Sequence, residues 1–198
     1  MRMAMQMLRT GLVEPAEQPE VLRMIDRQMD QLLANIDQFG DLLRINAGKF
    51  DLHRERADLN DVLEMLQGRS ALVRELDRCG VSLRTEPWPT PLLAYYDGRH
   101  LASVLEFMVL KFARSATKGS VVQLGLRLEQ SVATWSVRGD SVNIADDVEL
   151  QCLMGTSNEL TECEAQALLA REISRMLSLQ FRPLASGRGL ELMMPLEP

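Results

Sequence analysis

Downstream of Pro19, no proline interrupts the chain until well past Gly48, and apolar residues recur at Leu22, Ile25, Met29, Leu32, Ile36, Phe39 and Leu43. The steps alternate between three and four. That spacing puts all seven on one stripe of an α-helix and is the heptad signature of a helix packed along a seam. The helix is expected over 17–48, with Asp26, Arg27, Asp30, Gln31, Asp37 and Gln38 off the stripe and wet, and with Gly48 as a left-handed cap. Upstream, Met1 to Leu12 reads as a shorter helix joined through Glu14-Pro15-Ala16-Glu17, which makes a helical hairpin. One hairpin cannot bury a continuous stripe. A second copy can, by completing a four-helix bundle, so Leu22, Ile25, Met29, Leu32, Ile36, Phe39 and Leu43 are the expected dimer contacts.

Past Gly48 the periodicity changes. Asp58-Leu59-Asn60-Asp61 reads as a helix start, with the helix running to about Cys79. Gly80 to Arg84 and Leu92 to Tyr96 read as strands on either side of a stiff Pro87–Pro91 loop. Arg99 to Arg114 is a strongly apolar helix. Val121–Leu128 and Val132–Arg138 alternate as a hairpin around Glu129-Gln130-Ser131. The stretch 141–162 has no strong period, Cys163 to Leu179 is helical, and Gln180–Leu184 and Leu190–Met194 are closing strands. The expected fold class is therefore α+β: a hairpin region over 1–50, then over 51–198 a mixed sheet with helices on one face.

Charge narrows the function. Twenty-two Lys and Arg against 28 Asp and Glu give a net charge of −6, the wrong sign for gripping nucleic acid or an anionic bilayer. Arg171, Arg175, Arg182 and Arg188 are interspersed with acids rather than forming a basic stripe. Cys79, Cys152 and Cys163 form no CxxC pair, so reduced thiols in a cytoplasmic protein are expected, with no zinc. The N-terminal residues do not read as a signal peptide, so none is expected, and no apolar run reaches bilayer length.

Several pieces together resemble the sensor histidine kinases of two-component systems. Ile25-Asp26-Arg27-Gln28 through Leu42-Leu43-Arg44-Ile45-Asn46-Ala47-Gly48-Lys49 is similar to the second dimerisation helix of that family. Asp58 to Leu63 resembles the entry to its ATP-binding domain, and Asp97 to Leu105 the opening of its nucleotide helix. Ser136 to Ile144 stands where the first glycine motif belongs, and Ser186-Gly187-Arg188-Gly189 resembles the terminal glycine turn. The resemblance spans nearly the whole chain in order. It implies a histidine-kinase-type ATPase-like domain behind a dimerisation hairpin.

The chemistry implied by that resemblance is missing at the matching positions. The phosphoacceptor histidine falls ahead of Met1, and His53 and His100 stand elsewhere, as ordinary histidines. Lys111 occupies the place of the asparagine that holds Mg²⁺, and an ammonium cannot ligate a cation. Gly139 replaces the adenine-reading carboxylate, with Asp140 one position on as a substitute if the strand slips. Ser141 and Asn143 replace two glycines, and Glu164 to Leu168 replaces the second glycine motif. Binding of ATP and Mg²⁺ is accordingly expected to be lost.

Two functions follow from the resemblance. The first is a non-catalytic homodimer that docks a response regulator, a histidine kinase or another phosphorelay protein. Gln28, Arg44 and Met1, Met3, Met5 and Met7 are its candidate partner contacts. The second is a histidine phosphotransferase whose acceptor histidine lies upstream of this chain. A third reading, a small-ligand protein reusing the old pocket, would draw on Trp88, Tyr95, Tyr96 and Trp135.

Overall fold

A computed structural model describes residues 18–140, 144–156 and 165–196. The contacts divide the chain into two units, Met1–Gly48 and Lys49–Pro198. In the first unit the described element is α1 (Gln18–Asn46), one long helix with Glu20 in its first turn and Arg44 in its last, both placed to complement the helix dipole. Gly48 closes it at φ +64°. The expected helix over Met1 to Leu12, and with it the hairpin, lies outside the described residues.

The second unit is α+β, as expected. Its order is β1 (Glu55–Asp58), α2 (Asn60–Gly68), α3 (Ser70–Cys79), β2 (Ser82–Glu86), β3 (Leu93–Tyr96), α4 (Gly98–Ser115), β4 (Val121–Glu129), β5 (Val132–Arg138), a 3-10 turn (Ile144–Asp146), α5 (Val148–Met154), α6 (Ala165–Met176), β6 (Gln180–Pro183) and β7 (Gly189–Pro195). Five strands form a mixed sheet in the order β2-β4-β5-β7-β6. The β2–β4 pair is parallel and the other pairs are antiparallel. Strands alternate their faces, so Val122, Leu124 and Leu126, Ala133, Trp135 and Val137, and Leu190, Leu192 and Met194 all point the same way. They are buried with Leu101, Leu105, Met108 and Phe112 of α4 in one core.

Three expectations need correction. The helix read from Asp58 to Cys79 is two helices, broken at Arg69, whose backbone is extended (φ −76°, ψ 104°). The break has a tertiary cause: the Arg69 guanidinium reaches α4, where it pairs with Glu106 and donates to Ser103 Oγ and the Arg99 carbonyl. The first strand of the sheet starts at Ser82, not Gly80, because Gly80 caps α3 in the left-handed region at φ +66°. The strand at Leu93–Tyr96 joins no part of the main sheet. It pairs antiparallel with β1, a strand without apolar alternation that periodicity does not reveal.

Candidate functional site

The site is built where α4, the end of β5 and the start of α5 meet. Asp97 opens α4. It is almost wholly buried, and its carboxylate accepts the His100 amide N–H at 3.0 Å and the His53 amide N–H at 2.8 Å. His100 Nδ1 lies 2.8 Å from Asp97 Oδ2, and its ring meets Phe50 edge-on at 5.0 Å. Burial pushes the Asp97 carboxyl upward, but the His100 and His53 contacts outweigh it and hold the group below the usual carboxylate range. Both histidines therefore converge on one capping carboxylate.

Three turns along α4 stands Lys111, only 15% exposed. Its ammonium is 2.5 Å from Glu149 Oε2 and 3.2 Å from Asp147 Oδ2. Burial alone would lower its pKa, yet Glu149 and Asp147 prevail and raise it above the ordinary lysine value. Asp147 works in two directions. Its Oδ1 caps α5 by accepting the Glu149 and Leu150 amide N–H groups, both at 3.0 Å, while Oδ2 faces Lys111. The start of α5, where bare N–H groups would welcome an anion, is thus filled by the protein's own carboxylate.

Gly139 sits at the end of β5, buried, with its N–H donating to the Arg188 carbonyl at 3.2 Å. A Cβ at this position would lie 3.2 Å from Cδ1 of the buried Phe112 ring. An aspartate could stand at 139 only if Phe112 gave way. Asp140, the alternative reader, is exposed. Ser141, Asn143 and the Glu164 position of the second glycine motif lie outside the described residues, although Ala165 to Leu168 open α6. The chemistry visible at the described part is the ion pairing of Lys111. Among the described residues, no three His, Cys, Asp or Glu side chains are grouped to hold a metal.

The other singled-out residues scatter. On α1, Leu22, Met29, Leu32, Ile36, Phe39 and Leu43 are 46–69% exposed, Ile25 is half-buried, and Met24 and Leu33 add exposed apolar surface that the heptad reading omitted. Gln28 is exposed, and so is Arg44, which pairs with Asp41 at 3.0 Å. Of the four aromatics offered as pocket walls, Trp135 and Tyr96 are core, Trp88 is half-buried and Tyr95 is exposed, and Tyr95 and Tyr96 border one cleft. Cys79 is half-buried and Cys152 is buried. Sequence reasoning singled out Lys111 and Gly139 but missed Asp147, Glu149 and Phe112. The one available signal was an unpaired lysine in an apolar helix, which demands a carboxylate from elsewhere. No described helix is long and apolar enough to cross a membrane.

No family model and no curated protein matches the sequence. Solved structures do. The histidine kinase AdeS of Acinetobacter baumannii is similar over 100% of this chain and 93% of its own, with TM-score 0.75 and 15% identity. Full-length ShkA, in complex with AMPPNP, gives TM-score 0.68 and 16% identity over 98% of this chain and 42% of its own. A nucleotide-free catalytic domain of the histidine kinase ThkA gives TM-score 0.60 and 12% identity over 74% of this chain and 99% of its own. The fold is that of the histidine kinases, with an ATPase-like α+β unit.

Proposed function

We propose that the chain is a non-catalytic signalling module of two-component type. It is a homodimer joined through the α1 stripe that docks a response regulator, a histidine kinase or another phosphorelay protein, and it binds neither ATP nor Mg²⁺. The observation that carries this reading is the Lys111–Asp147–Glu149 cluster. In the register of the resemblance, Lys111 stands at the Mg²⁺ position, and two carboxylates already satisfy it. An incoming triphosphate would have to compete with those carboxylates and then meet their negative charge. Gly139 packed on Phe112 supports the same reading, because the adenine-reading position has no carboxylate, and a side chain there would press on the Phe112 ring.

The dimer rests on the exposure of α1. A contiguous stripe that exposes Leu22, Leu32, Ile36, Phe39 and Leu43 marks an interaction surface. The test is incubation of the full chain with γ-labelled ATP and Mg²⁺, beside sedimentation at several concentrations. No labelled protein, no released phosphate and a stable dimer are expected. Labelled chain or phosphate release would overturn the non-catalytic reading, and a monomer would overturn the assembly.

The same ion pairs are compatible with the histidine phosphotransferase alternative, which also dispenses with nucleotide. Transfer of label from a phosphorylated receiver domain to a chain extended upstream separates the two readings.

A further inference from the structure

The β1–β3 ribbon stands apart from the main sheet, and its two faces differ. Register sets Arg56 opposite Tyr95 and Asp58 opposite Leu93. Alternation then puts Arg56, Leu93 and Tyr95 on one face, while Tyr96, Ala57 and Ala94 pack on the core from the other. On the outer face Tyr95 is 61% and Leu93 53% exposed. Arg54, just ahead of β1, donates to the Met176 carbonyl at 2.8 Å. With Tyr95, Leu177 and Leu196 it borders a cleft of about 120 Å³.

The charges on this face are two arginines and one carboxylate. Among the described residues, neither Arg54 nor Arg56 is in an ion pair with a carboxylate. Asp58 is on the outer face by register, but its Oδ1 accepts the Asn60 and Leu92 amide N–H groups, both at 3.0 Å. Glu55 belongs by register to the opposite face. A chain of net charge −6 thus presents a small surface of tyrosine, leucine and two arginines, with one carboxylate, Asp58, bound through its Oδ1 to backbone N–H groups. Tyr and Arg are the residue types over-represented at protein interface hot spots.

We propose that this face docks an acidic segment of a partner protein, with an apolar side chain resting on Leu93 and Tyr95 and carboxylates meeting Arg54 and Arg56. Charge complementarity selects the occupant. The net negative charge of the whole chain opposes an anionic bilayer. The inference needs only the ribbon and stands whether or not nucleotide binds.

The test is selection of phage-displayed random peptides on the immobilised full chain. The enriched peptides should combine Asp or Glu with Leu, Phe or Trp. Their affinity should fall about ten-fold for Arg56→Glu and for Tyr95→Ser, and it should fall as salt rises. Both side chains are exposed, so melting should not change, and Arg56→Lys should retain part of the binding. Peptides without acidic residues, or binding indifferent to Arg56→Glu, would overturn the proposal. So would Arg56-dependent sedimentation with phosphatidylserine vesicles, which would assign the face to a lipid surface. Loss of the dimer in Tyr95→Ser would assign it to a second copy.

Discussion

The two units of this chain treat apolar residues in opposite ways. In the α+β unit Leu101, Leu105, Phe112, Leu124 and Trp135 are fully buried, and each strand turns its apolar face to the helices. In α1 residues of the same kind, Leu22, Leu32, Ile36, Phe39 and Leu43, stand about half exposed. An apolar stripe of this size is the kind of surface that marks an interaction site, and the proposed dimer would cover it. The α+β unit buries its apolar residues itself.

Substitutions should separate these two characters. The largest effect belongs to the core: Phe112→Ala removes a fully buried ring and should lower the stability of the α+β unit by about 4 kcal/mol in denaturant titration. Dimerisation should persist at denaturant concentrations where that variant is still folded. Next is Lys111→Met, which strands Asp147 and Glu149 against each other in a half-buried site. It should cost about 3 kcal/mol, and the double variant with Glu149→Gln should recover part of that loss.

The reverse pattern is expected for α1. Ile36→Asp should weaken the dimer about a hundred-fold in sedimentation, because it places a charge in an apolar seam, while the melting of the α+β unit stays where it was. An unchanged dimer would refute the seam. Smaller still is a pH effect within the α+β unit. Hydrogen bonds from Arg78, aided by Arg114 and opposed by burial, hold the Glu75 carboxyl down from 4.5 to about 2. The native state then binds this proton less readily than the unfolded chain. Its contribution is present above pH 4.5 and is lost as pH falls toward about 2. Because the group is partly exposed, Glu75→Gln should flatten that acid limb by only about 1 kcal/mol.

Legibility from the sequence followed the same division. Long periodic or alternating elements could be read directly: α1 from its heptads, α4 from its apolar run, and the β4–β5 hairpin from strict alternation. Elements created by tertiary contacts could not. The break at Arg69 exists because its side chain is engaged across α4, and β1 exists because β3 is there to pair with it. The site was legible by half. Lys111 and Gly139 were conspicuous as residues out of place, but Asp147, Glu149 and Phe112 explain them only in three dimensions. Asp147 and Glu149 lie on α5 and at its cap, in a stretch whose sequence has no period to follow, and Phe112 reads as one more apolar residue of its helix.

The central claim is that the protein's own ion pairs stand where a nucleotide and its metal would bind, and calorimetric titration of the full chain with ATP and Mg²⁺, beside an active histidine kinase domain, tests it most directly. The account predicts no saturable heat up to millimolar nucleotide for the native chain. Saturable binding that Lys111→Met weakens would contradict it, because Lys111 would then be serving phosphate rather than Asp147 and Glu149.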